Sequence, residues 1–199
     1  MTVDVGYGSP RGRHRRGAAV RQAILGAAVG VLAELGPARF TIPEVARRAG
    51  VHESSVYRKW RTREDLAVEA LLGHLAVELP IPDSGSLRSD LTIFLGDLGA
   101  YLQTPLARAF MSMSLVAVED PELDRARERF WRTRQENGSV MVERAQKRGE
   151  VRGDVDPLIA IETVLGPVHA RVMLTRRPID AAFTNGLIDV ALAGLSPRD

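Results

Sequence analysis

The chain is a succession of segments in which apolar residues recur every three or four positions. The first runs from Gly17 to Leu35 and is followed by Gly36-Pro37, with apolar residues at positions 20, 24, 27, 28, 31 and 35. This spacing predicts an amphipathic α-helix, and the Gly-Pro pair predicts its end. No segment alternates apolar and polar residues between turn signals, as half-buried strands do. We therefore predict an all-α fold.

Two capping motifs mark the next helices. Thr-Ile-Pro-Glu at 41–44 has the form of a capping box, in which Thr41 is the N-cap and Glu44 is the third helical residue. The helix that it opens ends at an Ala-Gly-Val turn, after which a third helix is predicted over residues 52–60. A similar motif at 62–65 opens a longer fourth helix.

A linker at 80–86, rich in Pro, Ser and Gly, precedes a second series of helical segments. Their predicted ranges are 87–103, 105–118, 121–148, 157–174 and 180–195. We infer four parts of the chain. The first two are a flexible basic arm at 1–16 and a three-helix unit at 17–63, in which residues 41–60 form a helix-turn-helix. The other two are a connecting helix at 64–79 and a larger helical bundle at 80–199.

Charge is unevenly distributed between these parts. The whole chain has a net charge of only +2, but residues 1–63 hold 12 Lys and Arg against 4 Asp and Glu. The remainder is therefore acidic. A basic first third either binds a polyanion such as nucleic acid or carries an excess of arginine on solvated faces, and charge alone leaves both open.

Composition and motifs exclude several other classes of protein. The chain has no cysteine, which excludes disulfides, thiolate zinc sites and a cysteine nucleophile. Its four histidines are scattered, and it contains no phosphate-binding loop, dinucleotide fingerprint or nucleophile elbow. We therefore expect neither an enzyme nor a bound metal or cofactor. The polar N-terminus and the charges that interrupt the apolar runs predict no membrane segment and a cytoplasmic location.

The third predicted helix separates an anchoring face from a polar face. At 100° per residue, Val56 and Trp60 share the inward side, whereas Ser54 and Arg58 point outward. Hydroxyl and guanidinium groups in this arrangement suit base edges and phosphates. Ser55 and Tyr57 flank the outward face, Lys59 flanks the inward side, and His52 and Glu53 lie at the end that helix-turn-helix proteins present to bases. The Glu53 carboxylate either accepts from a cytosine amino group or repels phosphate.

This part of the sequence resembles the DNA-binding domain of the TetR family of bacterial repressors. The resemblance covers residues 40–71 and rests on Thr41, Ala49-Gly50-Val51, Tyr57-Arg58-Lys59-Trp60 and Arg63-Glu64-Asp65-Leu66. It implies contacts to a double-stranded operator from Thr41, Tyr57, Lys59 and Arg63 to phosphates, and from His52, Glu53, Ser54, Ser55 and Arg58 towards bases. The alternatives are a ligand-independent regulator, or a protein-interaction module that uses the same helix-turn-helix fold.

The resemblance also implies that the C-terminal part binds a small effector and forms a homodimer. Helix 157–174 is apolar nearly all round, so it is covered on two sides, either by a partner through 157–174 and 180–195 or within a monomer. We predict a repressor that a largely apolar small molecule releases from DNA. The predicted effector-binding residues, each with the alternative of an ordinary core role, are Tyr101, Met113, Trp131, Arg134 and His169. Arg134 either snorkels, pairs with an acid or meets an anionic effector.

Overall fold

The computed structural model describes residues 10–114 and 120–197, without the side chains of residues 10–16, 109 and 112–114. Helices account for nearly all of its regular structure, and these described residues contain no strand. The prediction of an all-α fold is confirmed. The helices are α1 (Pro10–Leu35), α2 (Ile42–Ala49), α3 (Glu53–Tyr57), α4 (Arg63–Glu78), α5 (Leu87–Tyr101), α6 (Pro105–Ser114), α7 (Pro121–Lys147), α8 (Pro157–Ala170) and α9 (Ala181–Leu195).

The chain divides into two compact units, residues 1–70 and 71–199. The division falls inside α4, which we predicted as a connecting segment between two domains. Leu66 and Ala70 are buried in the first half of that helix. Leu71 and Leu75 are buried in its second half, and Leu79 is buried directly after its end. α4 therefore supplies core residues to both units, each of which has its own hydrophobic core.

α1 is the main packing partner of α2 in the N-terminal unit. Its buried face contains Ile24, Ala28 and Val31, which lie on the apolar stripe that the sequence predicts. The helical backbone begins at Pro10, so the prediction of a flexible arm is wrong for residues 10–16. Arginine has a high helix propensity and proline fits the first turn, which accounts for the extension. The arm's first nine residues lie outside the described part.

α3 is shorter than predicted. It spans only Glu53–Tyr57, because the chain turns tightly immediately afterwards. The backbone N–H groups of Lys59 and Trp60 both donate to the Val56 carbonyl, at 2.9 and 3.0 Å. This turn brings the Trp60 side chain into the core beside the buried Val56, and Thr62 then caps α4 by accepting from the Asp65 N–H at 3.0 Å.

The C-terminal unit is built around close packing of α7 on α8 and of α5 on α9. α7 and α8 approach closely at Gly138, where an added Cβ would lie 2.9 Å from Ile161 Cγ1. Asp120, Asp156 and Asp180 cap α7, α8 and α9, each accepting from backbone N–H groups of the first turn. The predicted starts of these helices are therefore confirmed.

The start of α5 is tied to its surroundings by two acidic side chains. Asp90 is fully buried and accepts hydrogen bonds from the Ser84 N–H and Oγ, both at 2.7 Å. Glu150 accepts from the Leu87 N–H at 2.7 Å. These bonds fix the linker before α5 against the end of α7.

Two apolar helices expose much of their surface. The segments Gly17–Leu35 and Pro157–Thr175 are long and apolar enough to cross a membrane by length and composition, a test that core helices of soluble proteins also pass. The second contains Pro167 and continues α8 into a π-helical turn, Arg171–Thr175.

Candidate DNA-binding surface and effector cavity

The start of α2 is fixed by half of the predicted capping box. Thr41 Oγ1 accepts from the Glu44 N–H at 3.4 Å. The Glu44 carboxylate does not complete the box: it accepts from Arg47 at 2.7 and 2.9 Å and from Arg48 at 2.7 Å. Hydrogen bonds from Arg47 and then Arg48 lower the pKa of Glu44 to about 2. Arg48 also pairs with Glu34 at 2.7 Å, which joins α2 to α1.

The turn between α2 and α3 requires glycine. Gly50 has φ 66°, in the left-handed region that residues with a Cβ rarely adopt. Its N–H donates to the Arg47 carbonyl at 3.3 Å, and the Val51 N–H donates to Ala46 at 3.0 Å. These bonds close the end of α2 and set the direction in which α3 leaves.

α3 presents the polar face that its sequence predicts. His52, Glu53 and Ser54 are exposed at its N-terminal end, and Ser55 is half-buried. Tyr57 is 52% exposed, and Arg58 and Lys59 are exposed beside it. Val56 and Trp60 are buried, so the predicted division between anchoring and polar residues is confirmed. Their contacts to DNA remain predictions.

Three predicted phosphate contacts also make interactions within the protein. Lys59 Nζ, predicted to flank the inward side, is exposed and lies 3.5 Å from the Gly17 carbonyl oxygen. Arg63 Nε donates to Glu64 Oε1 at 2.5 Å. The Thr41 hydroxyl is already the N-cap acceptor of α2. Each is therefore held in place before DNA arrives, and Arg63 must share its charge with Glu64.

Trp60 is anchored by a carboxylate that sequence reasoning missed. Trp60 Nε1 donates to Glu69 Oε2 at 3.0 Å, and Arg21 Nη2 lies 2.7 Å from Glu69 Oε1. The turn after α3 is thereby connected to α4 and α1. Nothing in the spacing of positions 21, 60 and 69 indicates this contact, because the three residues meet only through the packing of different helices.

A cavity of about 420 Å³ lies within the C-terminal unit. Four of the five predicted effector residues line it, namely Tyr101, Trp131, Arg134 and His169, whereas the side chain of Met113 lies outside the described residues. Most of the wall is apolar and comes from α4, α5, α6, α7 and α8, including Leu71, Leu75, Leu79, Phe94, Leu98, Leu102, Ala107, Phe110, Met111, Phe130, Leu165 and Met173. Concave, largely apolar spaces of this size are typical of small-molecule sites.

Burial shifts the pKa values of two polar side chains that line this cavity. Burial raises the pKa of the Tyr101 hydroxyl to about 12, with a further contribution from Glu78. Burial lowers the pKa of His169, and the charge of Arg134 lowers it further. Tyr101 and His169 are therefore neutral near neutral pH. The His169 ring lies edge-on to Trp131, with 5.1 Å between ring centroids.

The sequence missed the contribution of α4 to this cavity. Leu71, Leu75 and Leu79 follow a regular helical spacing that core packing explains equally well, so nothing marks them as cavity residues. Met173 reaches the cavity from the π-helical turn after α8. Gly166 of α8 also lines the cavity.

Comparison with known proteins identifies the family to which this chain belongs. Residues 24–70 match the model described as "Bacterial regulatory proteins, tetR family", and residues 81–191 match "Tetracyclin repressor-like, C-terminal domain". The chain belongs to the TetR family. The resemblance first seen around α2 and α3 is thus confirmed for both units.

The similarity to individual TetR-family proteins covers nearly the whole chain. The HTH-type transcriptional regulator AqdR of Rhodococcus erythropolis is 35% identical over 179 residues, covering 90% of this chain and 86% of that protein. The DNA-binding transcriptional repressor TetR of Mycobacteroides abscessus is 29% identical, covering 89% and 94%. The crystal structure of the TetR family transcription regulator SCO0332 is 28% identical with a TM-score of 0.78, covering 89% and 99%. This TetR-family chain is a DNA-binding transcriptional regulator.

Proposed function

We propose that this regulator is a repressor that binds its operator as a homodimer and leaves it when a small, largely apolar molecule fills the C-terminal cavity. The observation that carries the proposal is the combination, in one chain, of an exposed polar face on α3 with a largely apolar cavity in the C-terminal unit. The relative from Mycobacteroides abscessus is named a repressor, which supports repression over activation. We place its action in the bacterial cytoplasm.

The surface around α3 supports sequence-specific reading of duplex DNA. Val56 and Trp60 are buried and anchor α3 to the core of the N-terminal unit. Ser54 and Arg58 point away from them, so hydrogen-bond donors lie on the exposed side of this short helix. In helix-turn-helix proteins such a helix enters the major groove with its N-terminal residues against bases. The surplus of Lys and Arg in residues 1–63 supplies the attraction to phosphates.

Exposed apolar side chains on the last helices support a dimer. Ile159 on α8 is 62% exposed, and Val190 on α9 is 75% exposed. Leu158 at the start of α8 and Leu174 in the turn after it are exposed as well. An apolar patch on adjacent secondary-structure elements commonly marks a protein interface. A symmetric pair of such faces gives an isologous dimer, and a dimer presents two copies of α3 to half-sites one helical turn or more apart.

α4 supports a link between the cavity and the DNA-binding unit. It follows the Trp60 turn directly, and its leucines at 71 and 75 line the cavity. A ligand that packs against those leucines favours one position of α4 over another. If that position suits DNA less well, ligand and operator oppose each other, with a typical coupling of about 1–3 kcal/mol.

Operator binding with and without a cavity ligand tests this proposal. Duplexes are first selected from a random pool at fixed salt, and affinity for the selected operator is then measured by fluorescence anisotropy with saturating phenylnaphthylamine, a neutral apolar fluorophore. We expect the bound fluorophore to weaken operator binding roughly 5- to 150-fold. Unchanged affinity with the fluorophore bound in the cavity contradicts ligand release and favours a ligand-independent regulator. A protein-interaction module would show no salt-dependent binding to duplex DNA.

A further inference from the structure

The cavity contains one cationic side chain, Arg134, whose charge is not neutralised by any group that the structure describes. Arg134 lies on α7, is half-buried and lines the cavity beside Tyr101, Trp131 and His169. It forms no ion pair and no hydrogen bond with any residue in the described ranges 10–114 and 120–197. Other arginines of α7, at 125, 127 and 132, each pair with an acidic residue one turn away.

Neither of the two carboxylates near the cavity forms an ion pair with Arg134. Glu162 lines the cavity, but its side chain is exposed and it is not within ion-pair distance of Arg134. Glu78 acts on Tyr101 from the end of α4, where it raises the tyrosine pKa, and it does not pair with Arg134 either. The charge of Arg134 is therefore felt by Tyr101 and His169, whose pKa values it lowers.

The other polar groups in the cavity are free to bind a ligand. The Tyr101 hydroxyl, the Gln135 amide and the His169 ring nitrogens make no side-chain hydrogen bond to a residue in the described part of the chain. Burial lowers the pKa of Arg134, but a guanidinium remains protonated in proteins. A permanent cation that has lost part of its water without gaining a partner is costly, and a bound anion removes that cost.

We propose that the effector is an amphipathic anion whose charged group pairs with the Arg134 guanidinium while its apolar body fills the remainder of the cavity. This inference rests on the proposed function and gives the chemical class of its ligand. Tyr101 and Gln135 donate further hydrogen bonds to the anionic group. The leucine, phenylalanine and methionine side chains from α4, α5 and α6 surround the apolar body. One anionic group is accommodated, because Arg134 is the one permanent cation among the described residues that line the cavity, and Glu162 disfavours a second negative charge.

Two fluorophores that differ by one anionic group test the proposal. Anilinonaphthalene sulfonate and phenylnaphthylamine share the same aromatic body, and only the first has a sulfonate. Their dissociation constants are measured by fluorescence titration with the full-length chain and with the variants Arg134→Gln, Arg134→Lys and Arg132→Gln. Arg132 is the matched control, since it is an exposed arginine on the same helix. Circular dichroism confirms that each variant is folded.

We expect Arg134→Gln to weaken sulfonate binding about 10- to 100-fold, the range for a charge-assisted hydrogen bond, and to change phenylnaphthylamine binding less than twofold. Arg134→Lys keeps the charge and should retain most of the sulfonate affinity. Arg132→Gln should affect neither. Equal losses for both fluorophores, or no loss for the sulfonate, overturn the proposal and leave an apolar effector site. Failure of both fluorophores to bind the unaltered chain contradicts the effector cavity itself.

Discussion

Replacing Gly138 by alanine should separate α7 from α8 at the point where these two helices meet. The added Cβ would lie 2.9 Å from Ile161 Cγ1 and 3.6 Å from its Cδ1. Cγ1 is an inner atom of a β-branched side chain that is completely buried, so it cannot swing aside as a flexible chain end can. The overlap must therefore be relieved by movement of the helices.

Gly96 provides the matched control for this substitution. It lies in the interior of α5 in the same unit, is exposed, and has no described heavy atom within 4 Å of an added Cβ. Alanine there should stabilise the unit by about 0.5–1 kcal/mol through helix propensity alone. At Gly138 the same gain is opposed by an overpacking cost of about 1–3 kcal/mol. The two variants should therefore differ by roughly 1–3 kcal/mol in free energy of unfolding.

Thermal unfolding followed by circular dichroism at equal protein concentration measures this difference. For a chain of this size we expect Gly96→Ala to raise the melting temperature by about 1–4 °C and Gly138→Ala to lower it or leave it unchanged. Gly138→Ala should also weaken fluorophore binding, because α7 and α8 both line the cavity. Equal stabilisation by the two alanines would refute the close approach of the helices at Gly138.

Three further predictions concern DNA contacts, charge and assembly. Arg58→Ala should relax base preference in a duplex selection. Lys59→Ala should weaken binding to all duplexes alike and reduce the slope of log affinity against log salt by about one. The Glu44 carboxyl group should titrate in NMR near pH 2, and closer to the ordinary glutamate pKa of 4.5 in Arg47→Gln. Because folding lowers its pKa, its contribution to stability is complete above about pH 4.5 and is lost as the pH falls towards 2; an unshifted resonance would contradict the ion pairs. Val190→Glu should convert dimers to monomers in sedimentation, and an unchanged mass would remove α9 from the interface.

Local signals in the sequence predicted the helix starts well. Thr41 was predicted as an N-cap, and Ser86, Asp120 and Asp156 stand directly before the predicted helix starts at 87, 121 and 157. Each accepts a backbone N–H of the first turn. Such bonds depend only on a few neighbouring residues, so the sequence contains the necessary information. The left-handed Gly50 is a similar local feature.

Features set by packing between helices were harder to predict. The early end of α3 is set by the need to bury Trp60 against Glu69, which lies on another helix. The helical backbone of residues 10–16 was not predicted, because arginines and proline suit both solvent and a first helical turn. The sequence left three alternatives for Arg134, and only the assembled cavity distinguishes a missing partner from snorkelling or an ion pair.

Selection of duplexes from a random pool is the most direct test of the central claim that α3 reads a specific operator. The unaltered protein and Arg58→Ala are compared at one defined salt concentration. The account predicts a two-fold-related pair of half-sites, with centres about 34–36 Å or more apart, and a loss of preference at particular positions in Arg58→Ala. Recovery of no preferred sequence, or of the same preference from both proteins, would contradict it.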